Sequence, residues 1–203
     1  MSKVYVLLYL AIILVLLSSC NQFSQSIKDT YNIDETSNRT NKTYSYGRMN
    51  FLAKESHWSQ AQEELMSLQE FKDRVPNFYS SIHFYSDGRI NLQIQDPKTT
   101  EHVNRYFYRK GSWEDPEPVQ MMADWKVKNS TYSLKDIKFE NVASIFEQIN
   151  DQSNQIEGAE EVTHIFLVHT SNKVYWNATI RGTRERYSVK ADVDGKEIVL
   201  TRN

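Results

Sequence analysis

Residues 82–94 read IHFYSDGRINLQI, and apolar residues alternate with other types on both sides of an Asp-Gly pair. A period of two places Ile82 and Phe84 on one face of a first strand, and it places the three apolar residues after the turn on one face of a second strand. Asp87-Gly88 favours a tight hairpin turn between them. The segment therefore predicts two antiparallel β-strands that share one apolar face.

An amphipathic helix is predicted upstream of this hairpin, over residues 55–74. Apolar residues recur there at spacings of three and four, which is typical of a helix with one buried face. These residues are Trp58, Ala61, Leu65 and Leu68. Pro76 is expected to end the helix, because proline disfavours the helical conformation at the residue before it.

A third strand is predicted downstream of the hairpin, at residues 105–108, and Lys110-Gly111 follows it as a turn. Two prolines come next, Pro116 and Pro118. Because proline cannot donate a hydrogen bond to a β-ladder, any strand in this segment is expected to begin at or after Pro118.

The same order of elements is predicted again in the second half of the chain. Apolar residues at helical spacing indicate a second helix over 139–149. Four further strands are predicted at 165–168, 174–180, 187–193 and 198–200. Trp58 and Phe139 are 81 residues apart, and so are His83 and His164. We therefore expect an α+β fold of two tandem repeats, each with one helix and a four-stranded antiparallel meander. A single α+β domain with evenly spaced helices is the alternative.

The closing segment, residues 187–196, reads YSVKADVDGK, in which a tyrosine-bearing strand runs into an Asp-Gly turn. It resembles the end of a PepSY-type repeat, and the helix-plus-sheet pattern resembles the PepSY-like and beta-lactamase-inhibitor-like group. Residues 106–113 keep the strand-turn outline in the first half but lack the Asp-Gly pair. The resemblance implies a protein-binding or inhibitory module without catalytic residues.

The N-terminus has the organisation of an export signal. Lys3 precedes an apolar run over residues 4–17, which is shorter than the roughly 20 residues that a membrane span needs. The segment Leu17-Ser18-Ser19-Cys20 resembles the lipobox of bacterial lipoproteins. In that family the cysteine becomes the first residue of the mature protein and carries diacylglycerol and palmitate. The resemblance implies that residues 1–19 are a signal peptide and that Cys20 is lipidated; an ordinary signal peptide with a free cysteine is the alternative.

The segment after the cysteine, residues 21–50, is rich in Ser, Thr, Asn and Gln and has no apolar period. Such a sequence cannot bury enough apolar area to offset the entropy lost on ordering. We therefore expect residues 20–53 to form a lipidated, flexible tether. The first repeat is then expected at 54–130 and the second at 131–203.

Charge and cysteine content limit the classes of partner. The chain contains 24 Lys and Arg and 26 Asp and Glu, a formal net charge of -2. This mild acidity argues against nucleic acid as a partner, because phosphate neutralisation needs a clustered basic surface.

Cys20 is the only cysteine, so the exported domain is expected to fold without an intramolecular disulfide. Asn21 stands where an Asp would signal inner-membrane retention; it favours an outer-membrane position facing the periplasm, with the cell surface as the alternative.

The sequence contains no pattern that we can assign to catalysis or metal binding. The five histidines form no His-Glu-x-x-His motif, and the odd separation of His164 and His169 predicts opposite faces of a strand. No Gly-x-Ser-x-Gly elbow is present, and the 6 glycines form no phosphate-binding loop. We therefore predict a protein that is not an enzyme, with no catalytic or metal-binding residues and no cofactor.

Aromatic residues and arginines on the predicted strands define a candidate binding face. Its members are Tyr106, Tyr108, Trp113, Tyr175, Arg105 and Arg186. Tyr and Trp bury large areas at interfaces at a low rotamer cost, and Arg binds carboxylates. The alternative is that the aromatic residues are core residues and the arginines solvated strand ends; Tyr175 and Trp176 are expected on opposite faces of their strand.

Together these features predict a lipid-anchored envelope protein that binds another protein or a peptide through its sheet faces. Inhibition of the bound partner is one form that this function takes in the PepSY-like and beta-lactamase-inhibitor-like group. The alternative is a structural lipoprotein that supports the assembly of an envelope complex.

Overall fold

The computed structural model of the protein describes residues 49–122, 126–170 and 173–203. The predicted signal peptide, Cys20 and the predicted tether up to residue 48 lie outside the described residues. Two α-helices are present in the described ranges, α1 (Glu55–Ser67) and α2 (Asn141–Ser153). Neither is long and apolar enough to cross a membrane.

Ten β-strands complete the described fold. They are β1 (Asn77–Tyr85), β2 (Ile90–Gln95), β3 (Val103–Arg109), β4 (Ser112–Trp113), β5 (Glu117–Pro118), β6 (Thr131–Ser133), β7 (His164–Thr170), β8 (Lys173–Arg181), β9 (Arg186–Ala191) and β10 (Ile198–Arg202). Short 3₁₀ turns lie at Phe51–Ala53, Gln69–Phe71, Val127–Ser130 and Leu134–Asp136.

All ten strands belong to one antiparallel sheet. The order is β10-β9-β8-β7-β1-β2-β3-β4, with β5 paired to β3 and β6 paired to β1. At the centre, Ser81–Tyr85 of β1 pairs with His164–Val168 of β7. The prediction of two tandem repeats, each with one helix and a four-stranded meander, is therefore wrong: the fold is mostly β, with one continuous sheet. The pairing satisfies the backbone N–H and C=O groups that β1 and β7 would otherwise expose as edge strands.

Both helices pack on the same face of this sheet and share one core. Phe84 of β1 lies at its centre, with ring centroids 5.4 Å from Trp58 of α1, 5.1 Å from Phe139 before α2 and 5.6 Å from Trp176 of β8. All four side chains are fully buried. Burial of a large aromatic side chain contributes about 1.5–3 kcal/mol, so this cluster stabilises both halves of the chain at once.

The predicted hairpin at residues 82–94 is confirmed. Ile82 and Phe84 are buried on the helix-covered face, and the apolar residues of β2 lie beside them. Gly88 has a φ of +85°, and a Cβ there would lie 3.0 Å from the ring of Phe51. The turn therefore needs glycine both for its backbone conformation and for the space that Phe51 occupies.

Three predicted boundaries differ from the structure. Leu52 is fully buried, so the globular domain begins before residue 54 rather than after a tether that reaches residue 53. Helix α1 ends at Ser67 rather than residue 74, because Leu68 adopts an extended conformation and the following turn buries Phe71. Strand β5 begins one residue before Pro118, which lies on the outer edge of β3, where a missing N–H costs little.

Candidate functional site

The face of the sheet opposite the two helices, here called the open face, carries the polar and charged side chains of the strands. In β1 this face contains Ser81, His83 and Tyr85, because they alternate with the buried Ile82 and Phe84. The strand registers add neighbours from five other strands. These are Asn91 and Gln93 of β2, Arg105, Phe107 and Arg109 of β3, His164, Phe166 and Val168 of β7, Tyr175, Asn177, Thr179 and Arg181 of β8, and Arg186, Ser188 and Lys190 of β9.

Four stacked rings occupy the centre of the open face. The ring of His164 lies 5.1 Å from that of His83, 4.7 Å from Tyr85 and 5.0 Å from Phe166, with interplanar angles of 7–13°. Nδ1 of His83 and Nε2 of His164 are 2.9 Å apart and share a hydrogen bond. This stack follows from the β1–β7 register, in which His83 is opposite Phe166 and Tyr85 is opposite His164.

The surroundings of the two stacked histidines lower the pKa of both side chains. Burial lowers the pKa of His83 below its usual value. Burial and the charge of His83 together lower the pKa of His164 to about 4. Both effects disfavour the imidazolium form, because the rings are partly removed from water and a second positive charge would lie next to the first.

A cleft of about 670 Å³ lies beside the stacked rings. We call it the groove, and its lining includes Ser81, His83, Tyr85, Asn91, Gln93, Arg105 and Phe107. Val119 and Gln120 also border it. A volume of this size falls within the range of about 300–1,000 Å³ that is typical of ligand sites.

A β-bulge in β1 shapes one end of the groove. Phe78 is opposite Ile94 and Ile82 is opposite Leu92, so three residues of β1 face one residue of β2 between these pairs. Within the bulge, Ser80 has a φ of +64°, which non-glycine residues rarely adopt. Bulges bend a strand and redirect its side chains, and they occur often beside functional sites.

Ser81, His83 and His164 form a hydrogen-bonded chain, since Oγ of Ser81 lies 2.9 Å from Nε2 of His83. In this chain a hydroxyl, an imidazole and a second polar group follow one another. Enzymes that use covalent catalysis have the same order, with a nucleophile, its general base and a group that orients the base. A base works best when its pKa lies near the working pH, and its imidazolium form is usually stabilised by a carboxylate. Here burial lowers the pKa of His83 and the third group is an imidazole, so this chain of three residues lacks the carboxylate that usually supports the imidazolium form of such a base.

The open-face strands and the two helices carry opposite charge. The strand residues on the open face include six basic side chains and one acidic side chain, Glu117 of β5. The basic residues are Arg105, Arg109, Lys173, Arg181, Arg186 and Lys190. Helices α1 and α2 contain five acidic residues and no Lys or Arg. The acidic residues are Glu55, Glu63, Glu64, Glu147 and Asp151.

Three of the predicted binding-face residues lie on the helix-covered face instead. Tyr106 and Tyr108 are 1% exposed, and Nε1 of Trp113 donates to the Ala61 carbonyl oxygen at 2.9 Å. They belong to the packing between β3, β4 and α1, so their side chains are not available to a partner on the open face. The physical reason is the β2–β3 register, which places Tyr106 opposite the buried Leu92.

The other three predicted residues lie on the open face. Arg105 lines the groove, while Tyr175 and Arg186 lie on β8 and β9 beyond the stacked rings. Strands lie about 4.8 Å apart, so four strand intervals separate Arg105 from Tyr175 by roughly 19 Å. The structure therefore places them on one surface but not in one pocket. The predicted lipidation site, Cys20, lies outside the described residues.

Neither the groove nor the stacked rings are predicted from the sequence. The alternation in residues 82–94 places His83 on the same strand face as Tyr85, but it gives no information about β7. His169 lies on the helix-covered side of β7 beside Phe78 and Tyr132, so its predicted separation from His164 is confirmed. Within the described ranges, no group of three or more His, Cys, Asp or Glu side chains is placed to hold a metal ion.

The fold is an antiparallel sheet with two helices on one face, and it is shared with a solved structure. That structure is a candidate lipoprotein from Clostridium difficile 630, with a TM-score of 0.52 and 8% sequence identity; the match covers 77% of this chain and 100% of that chain. Similarity at this identity shows the fold alone. No known protein family matches the sequence, and neither does any curated protein. The resemblance to PepSY-type repeats is thus without support from a family match.

Proposed function

We propose that this protein is an exported lipoprotein, anchored in the cell envelope through acylated Cys20, and that its domain is a non-catalytic module that binds a protein or peptide on the open face. The lipobox-like segment and the fold shared with a candidate lipoprotein support the anchor. The observation that carries the binding role is the groove beside the stacked rings, on the face of the sheet opposite the helices.

The side chains in and beside the groove have unused hydrogen-bonding capacity. Asn91, Gln93 and Asn177 lie on the open face, and none of their amides makes a side-chain hydrogen bond to a described residue. Oδ1 of Asn91 is buried without a partner among these residues. A buried acceptor that loses water without gaining a donor costs about 1–3 kcal/mol. Such groups are more useful for recognition than for folding stability.

The anchor is tested by replacing Cys20 with Ala in the full chain, in a bacterial host that is supplied with labelled palmitate. We expect loss of palmitate labelling and release from the membrane pellet, because acyl chains supply the membrane affinity. Ser19→Ala keeps a small residue before the cysteine and serves as the control, with unchanged labelling. Palmitate labelling of the Cys20→Ala protein would contradict the assigned site.

The binding face is tested by placing a photo-crosslinking amino acid at Phe107 or Tyr175, and at the exposed Gln152 of α2 as the control. We expect crosslinked envelope proteins from the two open-face positions and none from Gln152. Adducts only from Gln152 would place the interface on the helices. A fluorophosphonate probe that labels wild type but not Ser81→Ala would contradict the non-catalytic role.

A further inference from the structure

We propose, resting on the binding role above, that the ligand is an extended acidic segment of another protein, with one carboxylate held by Arg105 in the groove and others by the cations of β8 and β9. The first support is the charge of the open face. Its strand side chains carry five more positive than negative charges, whereas the whole chain has a formal net charge of -2. The face therefore complements an anionic partner.

Arg105 is the cation best placed to act inside the groove. Its side chain is partly buried and makes no ion pair with a described residue; its cross-strand neighbours are Gln93 and the exposed Glu117. The neighbouring Arg109 differs, since it is bonded to Glu114 at 3.0 Å and stacks on Phe107. Arg105 thus keeps its guanidinium for a ligand, and this group matches a carboxylate in a two-point contact.

The second support is a like-charge pair at the other end of the face. Arg181 and Arg186 are directly opposite each other on β8 and β9. Like charges in this position repel and destabilise a sheet. Lys190 lies four residues further along β9, about 13 Å from Arg186; it stacks over Tyr175 and adds a third positive charge. An anion bound beside both arginines would reduce this repulsion. Glu160 and Glu161 line a small cleft that includes Arg181 but not Arg186.

A polypeptide fits the open face better than a phosphate group or a lipid surface does. A phosphate offers hydrogen-bond acceptors, whereas the amides of Asn91, Gln93 and Asn177 both donate and accept. A peptide backbone supplies both kinds of group. The rings of Tyr85 and Phe107 in the groove also provide apolar contact area for side chains.

The size of the face sets the length of the segment. Arg105 on β3 and Arg186 on β9 are five strand intervals apart across the sheet, roughly 24 Å, and the registers displace them by about six residues along the strands, roughly 20 Å, so about 31 Å separates them. An extended chain advances about 3.3 Å per residue, so about nine residues span this distance. The segment would run across the strands and over the stacked rings.

The test uses full-length acylated protein in non-ionic detergent and three fluorescein-labelled decapeptides, which repeat Glu-Tyr, Gln-Tyr or Lys-Tyr five times. Fluorescence anisotropy at low salt is expected to show that the Glu-Tyr peptide binds at least about tenfold tighter than the others. Affinity should fall at 500 mM NaCl, because salt screens exposed charges.

Charge variants locate the bound peptide. Arg105→Gln is expected to weaken binding of the Glu-Tyr peptide about fivefold, and Arg105→Gln with Arg186→Gln at least about tenfold, in the range expected for partly exposed ion pairs. Arg202→Gln is the matched control, since Arg202 lies on the other face and is bonded to Glu185 at 2.8 Å. It should leave the affinity unchanged within about twofold.

Several results would overturn the proposal. Equal affinity for the Gln-Tyr peptide, or an Arg105→Gln, Arg186→Gln protein that binds as wild type does, would remove the carboxylate contact. Stronger competition by polyphosphate, or by micelles that contain phosphatidylglycerol, would indicate a phosphate ligand or an anionic lipid surface instead.

The failure of this proposal is distinguishable from the failure of the proposed function. If envelope proteins crosslink at Phe107 but the Glu-Tyr peptide neither binds nor competes, the binding role stands and the acidic ligand is wrong. If no adduct forms at Phe107 or Tyr175, the binding role itself is wrong, whatever the peptide does.

Discussion

The helix-covered face and the open face are built on the same ten strands but have different compositions. Trp176 and Tyr175 are neighbours on β8, yet Trp176 is fully buried among the core rings and Tyr175 is partly exposed beside Lys190. One face excludes water and joins both halves of the chain, and the other collects amides, histidines and cations. We therefore expect folding stability to depend mainly on the covered face, whereas the open face is the surface that we propose binds a ligand.

The largest expected effect compares Trp176→Ala with Tyr175→Ala. Trp176→Ala should lower the free energy of unfolding by about 3–5 kcal/mol, because it removes a buried ring that also donates from Nε1 to the Val193 carbonyl oxygen. Tyr175→Ala should lower it by less than about 1 kcal/mol. Urea unfolding followed by tryptophan fluorescence and circular dichroism measures both. Equal losses would mean that the open face is part of the core.

A smaller effect is expected from pH, through the stacked histidines. The pKa of His164 is about 4 in the folded protein and near 6.5 in the unfolded chain, so the unfolded state binds more protons between these values. Stability is therefore complete above pH 6.5 and falls as the pH drops toward 4. Solvent screening around a half-buried ring reduces the loss to about 1–2 kcal/mol.

His164→Phe isolates this contribution, because it keeps a stacked ring without a proton-binding site. Urea unfolding at pH 7.5 and pH 4.5 should show a smaller loss for the variant than for wild type. Other titratable and charged groups lie near His164. His83 is in the same stack, next to Tyr85 and Phe166. Arg181, Glu160 and Glu161 border the adjoining cleft. An identical loss in both proteins would assign the pH dependence to carboxylates elsewhere.

The smallest expected effect is a gain in stability on the open face. Arg186→Glu replaces the repulsion with Arg181 by attraction and should raise the free energy of unfolding by about 0.2–1 kcal/mol. The same variant should bind the Glu-Tyr peptide more weakly. Arg202→Glu is the control, because it removes the bond to Glu185 and should not stabilise the protein. A destabilised Arg186→Glu protein would contradict the separation of roles between the faces.

The local elements of the fold could be predicted from the sequence, but their assembly could not. The hairpin at 82–94 is evident because alternation and the Asp-Gly turn agree. The β1–β7 pairing joins strands about 80 residues apart, and either strand has a pattern that suits several neighbours. The 81-residue spacing of His83 and His164 suggested a repeat, whereas the structure places these residues in contact across one sheet.

Three of the six predicted binding-face residues lie on the open face and three do not, and strand pairing is again the reason. Both sets of alternating residues in β3 contain aromatic rings, Tyr106 and Tyr108 in one set and Phe107 in the other. Hydrophobicity alone therefore does not show which set is buried. The β2 partner resolves this, because Leu92 is apolar and Gln93 is polar, and Arg105 is opposite Gln93.

The opposite charges of the open-face strands and of the two helices form an electric dipole within the described domain, and the formal net charge of -2 conceals it. In a uniform electric field, the dipole experiences a torque that aligns the molecule, while the small net charge produces only a weak force that moves it. Near an anionic bilayer the field extends only about one Debye length, roughly 8–10 Å, so the torque acts only at close approach. There it would turn the strands toward the headgroups and the helices away. Purified protein should accordingly be retained on both cation- and anion-exchange resins at low salt.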